Sequence, residues 1–352
     1  MKFPKMRSLI NGQMTNHKSQ ISNIKQLFDS NALWLSMVIG CAGYKLFCTL
    51  SPVLPWLIFF MLFFTFCKIN PLDLRLHRWH CVVLVLQLSL SIAVYYVLMA
   101  CTGNPILSQG LMLCLIMPTA TAAPIIAGKL GGSIQNLTSF TLLSNFATAI
   151  VVPAFFPIVN PSADMTFWPA FLLILSRISP LLLGPFFAAW LLRVGYKAYN
   201  KREFVLSTQA AVIPFYLWVA SIIVLSAVVT ETVVLSFHAQ LSTILWLLLG
   251  SFLACLAQFG LGKLIGYKLP APSKGKDYQD VLINPAAAPK NMEGVSSITA
   301  GQAFGQKNTS LGVWMAQTYL NPLAALGAAA YIIWQNLFNS VQLTIAAHKK
   351  CK

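Results

Sequence analysis

Two stretches of this chain gather side chains that could do chemistry within otherwise apolar surroundings. The first, "MPTATAAPIIAGKLGG" (117–132), carries Thr119 and Thr121 between Pro118 and Pro124, and the sequence just beyond adds Thr141, Ser144 and Asn145. The second, "SSITAGQAFGQKNTSLGVWMAQ" (296–317), sets Gln302, Gln306, Lys307, Asn308 and Thr309 around Gly301 and Gly305. Hydroxyls and amides are neutral dipoles suited to holding an ion or a small solute. Hydrolytic or transfer chemistry also needs a histidine or carboxylate beside the nucleophile. Neither stretch holds one.

The rest of the chain agrees. Its eight acidic residues (Asp29, Asp73, Asp164, Glu203, Glu231, Asp277, Asp280, Glu293) fall in predicted loops or at span ends, and its five histidines avoid span centres. A carboxylate proton relay and an enzyme are both disfavoured. The eight cysteines form no CxxC pair, so neither a disulfide framework nor a metal cluster is expected, and no cofactor is implied. No phosphate-binding P-loop is present, which argues against ATP-driven transport.

The elements that position these residues are membrane spans. The chain has 352 residues, 57% hydrophobic and only 9% charged, too few charges to cover a water-facing surface. Apolar runs long enough to cross a bilayer recur throughout. The pattern predicts an all-α polytopic membrane protein with ten spans, at about 31–50, 52–68, 79–101, 107–129, 134–158, 165–193, 206–230, 238–267, 294–316 and 319–347. Residues 1–30 read as a basic cytoplasmic segment, and 269–293 as a Pro- and Lys-rich cytoplasmic linker. Lys and Arg occupy the loops after even-numbered spans and are missing after odd ones, which puts both termini in the cytoplasm. The net charge of +16 is therefore a topology signal, for lipid headgroups and not nucleic acid. The plasma (inner) membrane is the expected location.

Ten spans divide into two five-span halves, 31–158 and 165–347, of opposite orientation. That is the arithmetic of an inverted repeat. The two polar stretches are the fourth span of each half, spans 4 and 9 of the chain. Pro118, Pro124, Gly301 and Gly305 are read as helix breaks there. Paired interrupted spans in corresponding places point to a transport site. Two cations are predicted at membrane depth, Arg177 and Lys307, with no fixed anion to match them. An anionic substrate would supply the missing charge. Alternatively, the side chains bond backbone carbonyls at the breaks, or Arg177 reaches toward water.

The stretch 117–153 resembles the span 4–5 region of the bile acid:sodium symporter family, and "GQAFGQKNTSLG" (301–312) resembles that family's ninth-span signature. The resemblance implies a core of spans 79–158 and 238–347 with discontinuous spans 4 and 9 crossing, and a panel of spans 31–68 and 165–230. Substrate, a small organic anion, would bind between core and panel and cross by alternating access with sodium as the coupled ion. Gln87, Thr141 and Asn308 match family sodium-site or signature positions. Other positions depart: Ala123–Pro124 replace a Ser–Asn pair, Leu137 a hydroxyl, Ala303 an acidic residue, and Lys307 (or Gln306, one register over) a glutamine. Lys307 could then stand in for the bound cation, giving a sodium-independent uniporter or exchanger. A channel is the competing class, disfavoured because two unlike segments meet within one chain. The solute's identity and the oligomeric state are left open.

Overall fold

The computed structural model describes residues 32–68, 74–161, 165–202, 204–207, 209–270 and 290–350. The predicted N-terminal segment 1–30 and residues 271–289 of the linker lie outside them. In chain order the helices are α1 (Ala32–Ala42), α2 (Tyr44–Phe66), α3 (Arg78–Thr102), α4 (Pro105–Ile116), α5 (Ala123–Leu130), α6 (Ile134–Val159), α7 (Phe167–Asn200), α8 (Ile213–Lys268), α9 (Lys290–Gly305), α10 (Thr309–Tyr319) and α11 (Ala325–Lys350). Among the described residues there is no strand, only an isolated antiparallel bridge between Thr119 and Lys307.

Among the described residues five helices (α2, α3, α6, α7 and α8) are long and apolar enough to cross a membrane. Their outer faces expose large apolar side chains such as Trp56, Val85, Ile150, Trp168 and Leu191. Water would not tolerate this belt, but hydrocarbon does. The chain is a membrane-embedded helical protein.

The elements depart from the ten predicted spans in definite ways. Predicted span 1 ends early, at a turn on Gly43, and Tyr44–Phe66 is one continuous run. Pro52 does not break it, because the chain tightens there into a 3₁₀ stretch, Cys48–Val53. Predicted spans 4 and 9 are each two helices (α4 with α5, α9 with α10). Predicted spans 7 and 8 are one helix, α8, of 56 residues, with a single non-helical residue at Gln240 (φ −128°, ψ 22°). The expected loop at 231–237 is helical because its threonines bond backwards. Thr230 and Thr232 donate to the carbonyls of Ser226 (2.7 Å) and Val228 (2.9 Å), so their hydroxyls do not compete with the helix. Glu231, expected outside the spans, therefore lies within α8.

The bend is tied to a neighbour. Thr243 donates to the Gln240 side chain (3.0 Å), and Asn104 donates to Thr243 (2.8 Å). Asn104 is also the N-cap of α4, accepting from the Leu107 N–H at 3.1 Å.

Packing follows the small-residue logic of membrane helices. Gly262 and Gly266, four apart on α8, let α9 come to backbone contact. A Cβ on Gly262 would lie 2.5 Å from the Ala300 carbonyl oxygen, and one on Gly266 would strike that of Ser296. A large apolar cluster joins α2, α6, α7 and α10 through Ile58, Leu62, Val152, Ile178 and Leu311. A second joins α3, α5, α6 and α9 through Val83, Ala127, Phe140 and Phe304.

Candidate functional site

The site grows from the two interruptions. Helix α4 stops because Met117 takes an extended conformation (φ −52°, ψ 137°) ahead of Pro118, whose ring disfavours a helical predecessor. The chain runs non-helically to Ala122, and α5 begins with Pro124 in its first turn, where the missing N–H costs nothing. In the second stretch α9 ends at Gly305, and only Gln306, Lys307 and Asn308 intervene before α10. Pro124 thus starts a half-helix and is not itself a break. Gly301 is not a break either. It lies inside α9, where its bare Cα accommodates Lys263, whose Cγ would be 2.6 Å from a Cβ there.

The two interruptions lie against each other and satisfy each other's backbone. Ala120 N–H donates to the Gln306 carbonyl at 2.9 Å, and Asn308 N–H donates to that of Pro118 at 2.8 Å. Thr119 adds its hydroxyl to the Ala303 carbonyl (2.6 Å), while its N–H reaches Ser144 Oγ (3.1 Å). Gln87 donates to the Met117 carbonyl at 3.0 Å, satisfying the open end of α4. Asn308 caps α10, accepting from Leu311 N–H at 3.3 Å. Irregular backbone is tolerated at membrane depth only when served in this way.

A cavity of about 470 Å³ opens beside the crossing. One wall is the crossing itself, with Thr121, Pro124, Gln306, Lys307, Asn308 and Thr309, joined by Thr141 of α6. The facing wall comes from the end of α2 (Met61, Thr65, Phe66, then Lys68) and the start of α8 (Pro214, Phe215, Trp218). Among the described residues no carboxylate lines it. The first turns of α5 and α10 both face it, and helix N-termini carry partial positive charge. Along α6 the lining runs from Ile134 to Thr141, which at helical rise is a depth of about 10 Å.

Seven of the expected residues therefore line one cavity: Thr121, Pro124, Thr141, Gln306, Lys307, Asn308 and Thr309. Five others, Gln87, Thr119, Ser144, Asn145 and Gln302, are buried behind it. They hold the breaks and helices together: Asn145 donates to the Thr141 carbonyl (2.7 Å), and Gln302 to Asn339 (3.0 Å). Arg177, predicted at depth, is exposed on α7 and does not line the cavity.

Lys307 is the largest departure from ordinary packing. It is 1% exposed, and its Nζ has no hydrogen-bond partner among the described residues. The nearest favourable contact is the Phe304 ring, 5.1 Å from Nζ to centroid. Side-chain oxygens of Gln87, Asn145, Gln302 and Gln306 are likewise buried without partners. Each is a neutral acceptor, of the kind that suits a weakly bound monovalent ion better than a divalent one.

Sequence reasoning placed α11 as the tenth span but missed its part in the site. Gln335 accepts from the Lys307 N–H (2.9 Å) and donates to the Lys307 carbonyl (3.3 Å), a clip across the second break. Tyr331 donates to the Gly305 carbonyl (2.8 Å), and Asn336 lines the cavity. The signal was present in "YIIWQNLFNSVQ" (331–342), whose amides at 335, 339 and 342 recur at helical spacing. No protein-family model matches the chain, and no curated protein matches it.

Proposed function

We propose that this chain is a secondary transporter that carries a small organic anion across the membrane by alternating access. The observation that carries the reading is the cavity at the crossing of two broken helices, lined by Lys307, Lys68 and two half-helix N-termini and, among the described residues, by no carboxylate. Its volume suits a drug-sized solute. On this reading the ten-span inverted repeat of the sequence analysis holds. Helices α4/α5 and α9/α10 are the equivalent fourth spans, and α8 supplies two passes through its bend. The antiparallel meeting of the two breaks supports that equivalence. The panel is α1, α2, α7 and the first part of α8. The rest is the core. Both termini are cytoplasmic in a plasma (inner) membrane, and the chain performs no catalytic step.

Two couplings compete. The family resemblance implies sodium symport, and the unused amide oxygens favour it. The unpartnered Lys307 ammonium favours the other, a resident cation that dispenses with sodium. Uptake into proteoliposomes of a panel of organic anions, with sodium and with choline in its place, tests both. Saturable uptake that requires sodium gives a symporter, and saturable uptake indifferent to sodium gives a uniporter or exchanger. Ohmic flux gives a channel and removes the reading, as does no uptake of any anion.

A further inference from the structure

Helix α7 outruns the bundle. Its packed stretch ends at the buried Ala189, and from Phe167 to there it rises about 33 Å, close to the thickness of a hydrocarbon core. From Trp190 to Asn200 it rises about 15 Å more, and along that length only Arg193 is even half-buried. Arg193 donates to the carbonyl of Cys67, the residue that caps the end of α2, so it marks the level at which the neighbouring span stops. Beyond it the chain turns back. Lys201 adopts the left-handed conformation (φ 53°) that ends α7, its N–H donating to the Lys197 carbonyl at 2.9 Å. Phe204 returns to the helix, its ring 5.5 Å from that of Tyr196 and 5.8 Å from the Arg193 guanidinium. The tip of this turn carries Lys201 and Arg202, both exposed. Tyr199 and Val205, on either side of them in sequence, are 88% and 82% exposed.

Orientation of the helix requires only that basic residues stay on this side of the membrane. It does not call for a bare tyrosine and a bare valine past the end of the neighbouring span, where water would oppose both. A phospholipid headgroup layer accommodates the whole tip. Its phosphates meet the cations, and its glycerol and first methylene groups meet the ring and the methyls. The depth agrees. Tyr199 lies about 9 Å beyond Arg193 along the helix, comparable to the thickness of one headgroup layer. The charge agrees too. Between Met165 and Ser207 the sequence has a single acidic residue, Glu203, which lies outside the described residues. We infer that the tip of α7 is a docking site for anionic phospholipid headgroups of its own bilayer, with Lys201 and Arg202 as the anion-binding groups and Tyr199 and Val205 as the interfacial anchors. The inference is independent of what the cavity carries.

The test titrates the full-length purified protein, in neutral detergent, with dioleoylphosphatidylglycerol or dioleoylphosphatidylcholine and reads the first lipid bound by native mass spectrometry. The anionic lipid is expected to bind about tenfold to thirtyfold tighter, the effect of two basic residues at an anionic surface. Lys201→Gln combined with Arg202→Gln is expected to collapse that preference to within about threefold, and Lys201→Arg combined with Arg202→Lys to retain it. Lys129→Gln combined with Lys268→Gln removes the same charge from two other exposed positions and is expected to retain it as well. Glycerol 3-phosphate in large excess, which has the phosphate but no chains, is expected not to displace the lipid. All four substituted positions are exposed, and an unchanged thermal midpoint in phosphatidylcholine checks that each variant is folded. Equal affinity of the two lipids for the unsubstituted protein overturns the inference, as does a preference that survives the Lys201 and Arg202 substitutions to Gln. A preference lost equally with Lys129 and Lys268 overturns it in favour of net charge alone, and displacement by glycerol phosphate overturns it in favour of a soluble anion.

Discussion

The two helix interruptions do the same job by different means. The first is six residues long and is made by the backbone. Pro118 forces Met117 out of the helix, and Pro124 restarts it. The second is three residues long, contains no proline, and is made by side chains. Gln335 replaces the lost hydrogen-bond partners of Lys307 in both directions, Asn308 caps the helix that follows, and Tyr331 serves the helix that precedes. One break is intrinsic to its own segment. The other is imposed from α11. An intrinsic break tolerates loss of a single support, whereas an imposed one depends on its clip.

That contrast can be broken by substitution. The largest effect is expected from Gln335→Leu, which leaves the buried Lys307 N–H without a partner and its carbonyl with only the Thr309 N–H at 3.0 Å. At about 1–3 kcal/mol for the unsatisfied donor and about 1 kcal/mol for the second bond, the loss is about 2–4 kcal/mol, read as a fall in thermal or denaturant midpoint in detergent. A loss below about 1 kcal/mol would mean the second break is as self-sufficient as the first. Next comes Gly305→Ala, whose added methyl strikes the Phe259 ring where α9 ends, expected to cost about 1–3 kcal/mol by the same assay. Pro118→Ala should matter less, by about 1 kcal/mol or under, because the Pro118 carbonyl still accepts from Asn308 and Thr119 still bridges to α9. The smallest change is expected at Gly301→Ala. The added methyl meets the Lys263 stem at Cγ, which must shift, but it strikes no ring, and helix propensity improves. If Gly301→Ala proved as costly as Gly305→Ala, Gly301 would have to be reinstated as a helix break.

The same contrast explains what could be read from the sequence. The first break is written in its own residues, and prolines within an apolar run are visible without neighbours. The second announced its polar residues but not its mechanism, since Gln335 lies 28 positions from Lys307. Gly301 looked like a breaker because glycine has two uses, and only the nearby Lys263 shows that close packing is the one in force here. The long apolar helices followed directly from hydropathy. The bend in α8 did not, because hydroxyls that bond to their own helix look the same in sequence as hydroxyls that end one. The cavity's far wall was invisible for a related reason. Phe215 and Trp218 are ordinary aromatic residues until the fold sets them opposite the crossing.

Helix α8 carries a mechanical consequence. Its first turns form part of the cavity's outer wall, and its last turns are wedged against α9 through Gly262 and Gly266. The two walls are thus ends of one lever with its elbow at Gln240. Any travel of one wall against the other must appear there as torsion, in a joint whose side chain is strapped through Thr243 to Asn104 at the head of α4. The twelve residues of α4 act as a push-rod about 18 Å long from that strap to the first break. On the proposed alternating access, stiffening the elbow would slow the exchange, and cutting the strap would uncouple the elbow from the first break.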